Sequence, residues 1–593
     1  MGNLISSILG DARRLIVTSG VIALALYGCT STQKLVNSEW YEIETEHFRI
    51  VTNDNPKQVE KLAIDLERFR IFAKRYIRYS ADQQKLTIYA LDDRLSFKGV
   101  SGSESSRTVI GQFHNTAYGS FALLNLNGNR VLPDNPARQT LFHEYTHFLT
   151  YSGSQHLYPY WFSEGIAEVF STVDFEENKK YSFGKIPVDR AISLTRAREL
   201  PLDKLLSATP GSLNSRDTEA LYASGWMLAH WMIFDKGRNK ALNNYLEAFN
   251  AGDDPIAGLP EALGMTFDEL NEQYKKLPKS HFNYYEGEFS DNGIVKSPTV
   301  NLMESSTAVA ELAYFMAISE QGSEALERYI AYADKKQASS PSLKSALAIA
   351  LTGEENYSRA EEVLNSIPAQ YQGETWYLEA QAKNDLSAAL AEEGHPSPRN
   401  MKRIRDKYVQ LVNANGEVPA YWHELAITMQ VLGYPRQKYT EMLEQAYLRA
   451  PRETGIAWWY VLELYLDRDK DLFAKVSQPL FMQIAEEGSR AQLQSMLDEL
   501  EEEEGLEFEP EISGLGQLMS TYRKYSGNKA LAMAVDYRGA FVAGFNEDGG
   551  STQAEASQSA LQACEEQRKQ YQIRDRCELY AEGEVLVNST TRM

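Results

Sequence analysis

Residues 140–150 read TLFHEYTHFLT, two histidines four apart with a glutamate directly after the first. On an α-helix, residues four apart stand one above the other on one face. His143 and His147 can therefore aim their imidazole nitrogens at one cation while Glu144 lies beside that face. Zinc held by three protein side chains keeps a fourth position for water, and a carboxylate next to the first histidine can take that water's proton. With 9 histidines in 593 residues the pattern arises by chance in about one such chain in a hundred, so it needs a third ligand.

Working outward, YWFSEGIAEVF from Tyr160 supplies that ligand in Glu164, with 16 residues between it and His147, on what reads as a second helix. Glu168 follows one helical turn later on the same face, where it can hydrogen-bond a ligand histidine and fix its tautomer. The alternative for such a motif is a histidine pair on a buried helix without metal. A base, a third ligand and a supporting carboxylate within one short window favour the site. His47, His114, His156 and His281 have no comparable partners and read as surface or core residues. Tyr158, Tyr160, Trp161 and Phe162 read equally as cleft lining or as helix packing.

His143-Glu144-x-x-His147 followed by Trp161-x-x-Glu164-Gly165-x-Ala167-Glu168 resembles the gluzincin metallopeptidases, in particular bacterial peptidase MA-like domains. The resemblance covers roughly residues 38 to 280 and is strongest over 137–172. It implies an α+β zincin-like peptidase domain with one zinc per chain on His143, His147 and Glu164, and Glu144 as general base. Similar enzymes place a tyrosine downstream to stabilise the tetrahedral oxyanion, and TEALYASGWMLAHW offers Tyr222 on a helix, with His230 as a weaker candidate. The motif by which aminopeptidases of this superfamily recognise an N-terminal amine is missing, which argues against that activity.

Before this region, residues 13–29, RRLIVTSGVIALALYGC, have the layout of an export signal: two arginines, an apolar run from Leu15 to Tyr27, and a small residue before a cysteine. The run falls short of the roughly 20 residues that a membrane helix needs. Leu26-Tyr27-Gly28-Cys29 resembles the bacterial lipobox, with Tyr27 bulkier than usual, and implies lipid on Cys29 after cleavage; an uncleaved signal anchor is the other reading. The expectation is a lipid-anchored protein of the bacterial cell envelope on a periplasm-facing membrane surface. A formal net charge of -22, without a long basic stripe, excludes nucleic acid as an expected partner.

Secondary structure follows from patterning. WYEIETEHFRIVT from Trp40 alternates like a half-buried strand, Pro56 opens a helix through Tyr76, KLTIYAL from Lys85 and GSFALLNLNGN from Gly119 read as strands, and 137–151 as the motif helix. YYEGEFSDNG from Tyr284 reads as a linker. From about 300 to 500 the chain reads as paired amphipathic helices. LAIALTGEENYSRAEEVLNSIP from Leu347 and YWHELAITMQVLGYPRQKYTEMLEQAYLRAP from Tyr421 resemble degenerate tetratricopeptide units, which implies an all-α solenoid; an irregular helical bundle is the alternative. His423-Glu424 lacks a second histidine and reads as helix surface.

DELEEEEGLEFEP from Asp498 marks the next boundary. KALAMAVD and GAFVAGFN then read as a strand hairpin, STQAEASQSALQACEEQRKQY as a helix capped near Ser551 or Thr552, and CELYAEGEVLV as a third strand. Cys564 and Cys577 are expected to form a disulfide that pins helix to strand, worth about 3 kcal/mol in the chain-entropy model.

The expected organisation is a signal peptide (1–28), a tether (29–37), a metallopeptidase domain (38–285), helical repeats (300–500) and a small α/β disulfide-closed ββαβ module (515–593). The expected function is a zinc-dependent peptidase acting on a peptide or protein substrate, with its repeats open to a protein partner. The alternative is a non-catalytic envelope scaffold that binds partners through the repeats. A third reading keeps the zinc and hydrolyses another amide.

Overall fold

The computed structural model describes residues 32–587 except 78–84, 102–109, 127–135, 152–156, 177–179, 198, 251–252, 290–294, 320–321, 337–338, 393–395, 485–486, 503–521, 523–526, 536–540, 546–551, 571–575 and 584. Cys29, its apolar leader and His156 lie outside these residues. Residues 32–37, expected as part of a tether, are helical, and Leu35 and Val36 are buried beneath Trp40.

The alternation from Trp40 suggests one strand, but the chain folds it into a hairpin of β1 (Trp40–Glu44) and β2 (Phe48–Thr52). Thr45 closes the turn, its N–H donating to the Phe48 carbonyl and its hydroxyl accepting from the Phe48 N–H. Then follow α1 (Pro56–Ala73), β3 (Leu86–Leu91), α2 (Arg94–Ser101), β4 (Gly111–Thr116), β5 (Gly119–Asn125), α3 (Pro136–Tyr151) and α4 (Tyr160–Ser171). Helix α2 and strand β4 have no counterpart in the sequence reading. The first is short, and GQFHNT in β4 holds one large apolar residue, so its strand character comes from pairing with β5.

The middle of the chain runs β6 (Asp174–Phe175), β7 (Lys180–Phe183), α5 (Val188–Ala197), α6 (Leu202–Leu206), α7 (Ser215–Ile233), α8 (Lys236–Asn250), α9 (Pro255–Leu263), α10 (Phe267–Tyr274), β8 (Tyr285–Glu288) and β9 (Thr299–Met303). The stretch expected as a linker contributes β8, which completes a small β6-β7-β8 sheet.

The main sheet has the order β4-β5-β3-β2-β1-β9, with β2–β3 and β3–β5 parallel and the other pairs antiparallel. Alternation along β3 splits its side chains between two cores. Ile88 and Ala90 pack with Phe69, Leu141 and Phe142 of α1 and α3 on one face. Tyr89 and Leu91 pack on the other with residues of α11 (Ser305–Ile318), including Leu312 and Phe315. Arg49 of β2 ties the second face down by donating to both Glu311 carboxylate oxygens of α11 at 2.7 Å. The sheet is thus covered on both faces, which suits its parallel centre.

The helical region continues with α12 (Ser323–Lys335), α13 (Pro341–Gly353), α14 (Tyr357–Asn365), α15 (Thr375–Ala391), α16 (Pro398–Ala414), α17 (Pro419–Val431), α18 (Arg436–Arg449), α19 (Thr454–Leu466), α20 (Lys470–Gln483) and α21 (Glu487–Glu502). Each packs on the next, and α13 also packs on α11 and α15. His423-Glu424 of α17, expected on the surface, is mostly shielded, with side chains 13% and 24% exposed. His423 stands edge-on to Trp459.

At the C-terminus β10 (Ala530–Val535), β11 (Phe541–Phe545), α22 (Gln553–Gln570), β12 (Glu578–Glu582) and β13 (Val585–Leu586) form a sheet of order β11-β10-β12-β13 backed by the helix. CELYAEGEVLV is a hairpin rather than one strand, turning at Gly583 with φ 62°. The Thr552 hydroxyl accepts from the Glu555 N–H at the start of α22. Cys564 and Cys577 are bonded, Cα atoms 5.9 Å apart, joining α22 to the segment that leads into β12. Among the described residues no helix is long and apolar enough to cross a membrane.

Candidate metal centre

Helix α3 carries HEYTH with Leu141, Phe142, Tyr145 and Leu149 in the core, which leaves His143 and His147 turned toward α4 and Glu144 beside Gly111 of β4. Helix α4 is buried from Trp161 to Ser171, so Trp161 and Phe162 serve packing rather than a cleft. Burial on all sides makes Glu164 and Glu168 carboxylates inside the protein, where each needs a charged or hydrogen-bonding partner.

They have them. The Nε2 atoms of His143 and His147 lie 3.0 Å apart, and Glu164 Oε2 lies 3.3 Å from each. All three ligand atoms fall within 4.8 Å of one another, and among the described residues no other trio of His, Cys, Asp and Glu converges in this way. Around a tetrahedral zinc with bonds of about 2.0–2.1 Å, ligand atoms stand about 3.3–3.4 Å apart. The observed spacings match that edge length to within a few tenths of an ångström. Two imidazole nitrogens and a carboxylate oxygen facing one point are the ligand types that zinc takes, and a cation between them would satisfy all three at once. The residues therefore fit zinc.

The opposite ring nitrogen, His143 Nδ1, lies 3.2 Å from Glu168 Oε1. A donor to Glu168 at Nδ1 leaves the Nε2 lone pair free for the metal position. Arg190 of α5 in turn donates to the same Glu168 oxygen at 2.6 Å, and its guanidinium stands 5.0 Å from the Tyr222 ring centroid. Sequence reasoning missed Arg190. It follows Glu168 by 22 residues, across β6 and β7, and no spacing rule relates the two.

Charge pairing dominates the electrostatics without metal. Burial opposes a charged His143, but the carboxylates of Glu168, Glu164 and Glu144 outweigh it and push the ring up to about 10. Burial likewise opposes ionised Glu164, yet the two imidazoles hold it well below the usual carboxylate range. Glu168 is lowered to about 2, with Arg190 and His143 overcoming burial. Glu144 moves the other way: burial raises it, and Glu164 and Glu168 add to the rise against the pull of the histidines. A carboxylate so raised is a better proton acceptor.

Tyr222 of α7 places its ring centroid 6.0 Å from that of His143. The Glu164 carboxylate, then burial, raise its pKa and keep the hydroxyl a donor. Helix α7 comes this near because glycines meet where it crosses α4. A Cβ on Gly165 would lie 2.4 Å from the Gly225 carbonyl oxygen, and one on Gly225 would lie 2.7 Å from that of Trp161. Tyr222 stands one turn before Gly225 and so on the same side of the helix. His230, the weaker candidate, is engaged elsewhere: its Nε2 is 2.9 Å from the Gly184 carbonyl and its ring stacks on Phe234. Of the other histidines, His47 has a carboxylate partner after all, Nδ1 lying 2.9 Å from Glu67, while His114 packs against Phe315 and His281 is exposed. No protein-family model, curated protein or solved structure matches the chain.

Proposed function

We propose that the chain is a zinc-dependent peptidase with a zincin-like catalytic domain, a tetratricopeptide-like helical array and a small disulfide-closed module. The observation that carries this reading is the convergence of His143 Nε2, His147 Nε2 and Glu164 Oε2 within 4.8 Å, with Glu168 behind His143. When bound, zinc lowers the pKa of a water toward ~7 and polarises a carbonyl oxygen. The chain's own residues do the rest. Glu144 takes the proton of the attacking water and returns it to the leaving amine. Tyr222, kept protonated, donates to the oxygen on which negative charge develops. Glu168, held by Arg190, keeps His143 in the tautomer that presents Nε2. The substrate class is a peptide or protein. Export and lipid attachment at Cys29 belong to the same proposal and rest on residues 13–29.

Metal content by elemental mass spectrometry tests it first. One zinc per wild-type chain is expected, and none in His143→Ala, His147→Ala. Glu144→Gln should keep the zinc and lower hydrolysis of a fluorogenic peptide library by about a hundredfold or more. A chain that takes up no zinc at neutral pH overturns the reading and leaves the scaffold alternative.

A further inference from the structure

Strand β4 lies at one edge of the main sheet and touches two parts of the molecule at once. Toward α3 it presents Gly111, where a Cβ would come within 2.5 Å of Thr140 Cγ2 and 3.6 Å of Glu144 Cγ. Two residues on, Phe113 meets Phe148 edge to face, beside His147. On the opposite face His114 stands edge-on to Phe315 of α11.

The turn that follows β4 enters the helical region. The Ala117 carbonyl accepts from the Ala420 N–H at 2.7 Å, satisfying one of the unpaired donors of the first turn of α17. The Tyr118 hydroxyl accepts from Lys383 Nζ of α15 at 2.8 Å, and the same ammonium sits 5.0 Å from the Tyr118 ring centroid. One turn before Lys383, buried Glu379 accepts from the hydroxyls of Tyr314 and Tyr421 at 2.8 and 2.5 Å. Helices α11, α15 and α17 thus close around the tip of the β4–β5 hairpin.

We propose that Lys383 is a positioning residue of the metal centre: through Tyr118 it fixes the tip of the hairpin and thereby where β4 lies against Glu144. The proposal rests on the metal-dependent hydrolysis inferred above. A paired strand is stiff enough to carry such placement over the five steps from Thr116, at the turn, to Gly111, roughly 17 Å. Both ends of β4 are then held, one by α15 and α17 and the other by α3.

The test uses the full chain loaded with zinc, comparing Lys383→Met, Tyr118→Phe and the double variant by hydrogen–deuterium exchange and by hydrolysis of a fluorogenic peptide library. Each single variant is expected to speed exchange about tenfold at 111–116 and at 140–147. It should also lower kcat about tenfold with KM and zinc content unchanged. The double variant should be no worse than either single one, because both act on the same contact. Tyr118→Phe keeps the ring, so folding is preserved if Lys383→Met proves too disruptive. Faster exchange confined to 117–118 and 375–431, with 140–147 and kcat as in wild type, overturns the proposal. So does uniform acceleration along the chain. If the wild type takes up no zinc, the peptidase reading fails, and exchange at 140–147 in Tyr118→Phe still decides the positioning claim.

Discussion

His143-Glu144 on α3 and His423-Glu424 on α17 are the same dipeptide in the same secondary structure, with histidine side chains 11% and 13% exposed. Around the first, α4 supplies two carboxylates and α3 a second imidazole, and three lone-pair atoms face one point. Around the second, the chain supplies a hydrogen-bonding ring and the ammonium of Lys383. His423 and Lys383 hold the Glu424 carboxyl below its usual range against the effect of burial, and Trp459 fills the space beside the ring. The difference teaches that a histidine next to a glutamate becomes a candidate metal site through what a second helix brings to it. Two imidazoles and a carboxylate converging on one point offer a cation from solution three ligand atoms, whereas at Glu424 the chain places an ammonium of its own.

The largest expected effect separates the two regions by pH. Zinc must displace the proton that Glu168, Glu164 and Glu144 hold on His143, so each ion bound releases one proton. Affinity measured by chelator competition should rise about tenfold per pH unit, roughly a hundredfold between about pH 6 and pH 8. An affinity flat across that range would break the comparison. The sign reverses for the zinc-free chain. His143, raised from 6.5 to about 10, adds stability that is complete below pH 6.5 and lost as the pH climbs through the folded value. The melting-temperature gap between zinc-free wild type and His143→Gln should narrow over that window.

Next in size is the support behind the ligand. Glu168→Gln and Arg190→Met should each weaken zinc binding by about 10–100-fold while one zinc per chain still binds at saturation. Unchanged affinity would mean that His143 needs no orienting partner. Gly165→Ala comes third: the new Cβ meets backbone at Gly225, which cannot yield as a side chain would, so a loss of about 1–3 kcal/mol is expected in chemical denaturation. The smallest effect sharpens the comparison from the other side. His423→Ala should leave zinc affinity within about twofold of wild type, since nothing near it converges on a cation.

The candidate site was legible in the sequence to the extent that helical spacing alone relates its residues. His143, Glu144 and His147 share one helix, Glu164 and Glu168 another, and a period of 3.6 residues decides which of them share a face. Tyr222 was reached by resemblance to known enzymes, and nothing local distinguishes it from a core tyrosine. Arg190 was missed because its partner is reached through the path of β6 and β7. The hairpins at Thr45 and Gly583 were read as single strands because alternation continues through a tight turn, and only pairing exposes the reversal. Strand β4 left no apolar pattern to read, since contacts with β5 and α3 stabilise it rather than its own composition.

By itself the sequence determined the helices of the candidate site, the faces their polar residues share and the cysteines available for one bridge, because each of these depends on neighbours within a turn or on residue type. The tertiary structure decided that Glu164 meets both histidines, that glycines at 165 and 225 let Tyr222 approach, and that Lys383 grips Tyr118 across 265 residues of chain. Those contacts form between elements that only the packing of two cores against one sheet brings together, and local spacing holds no record of that packing.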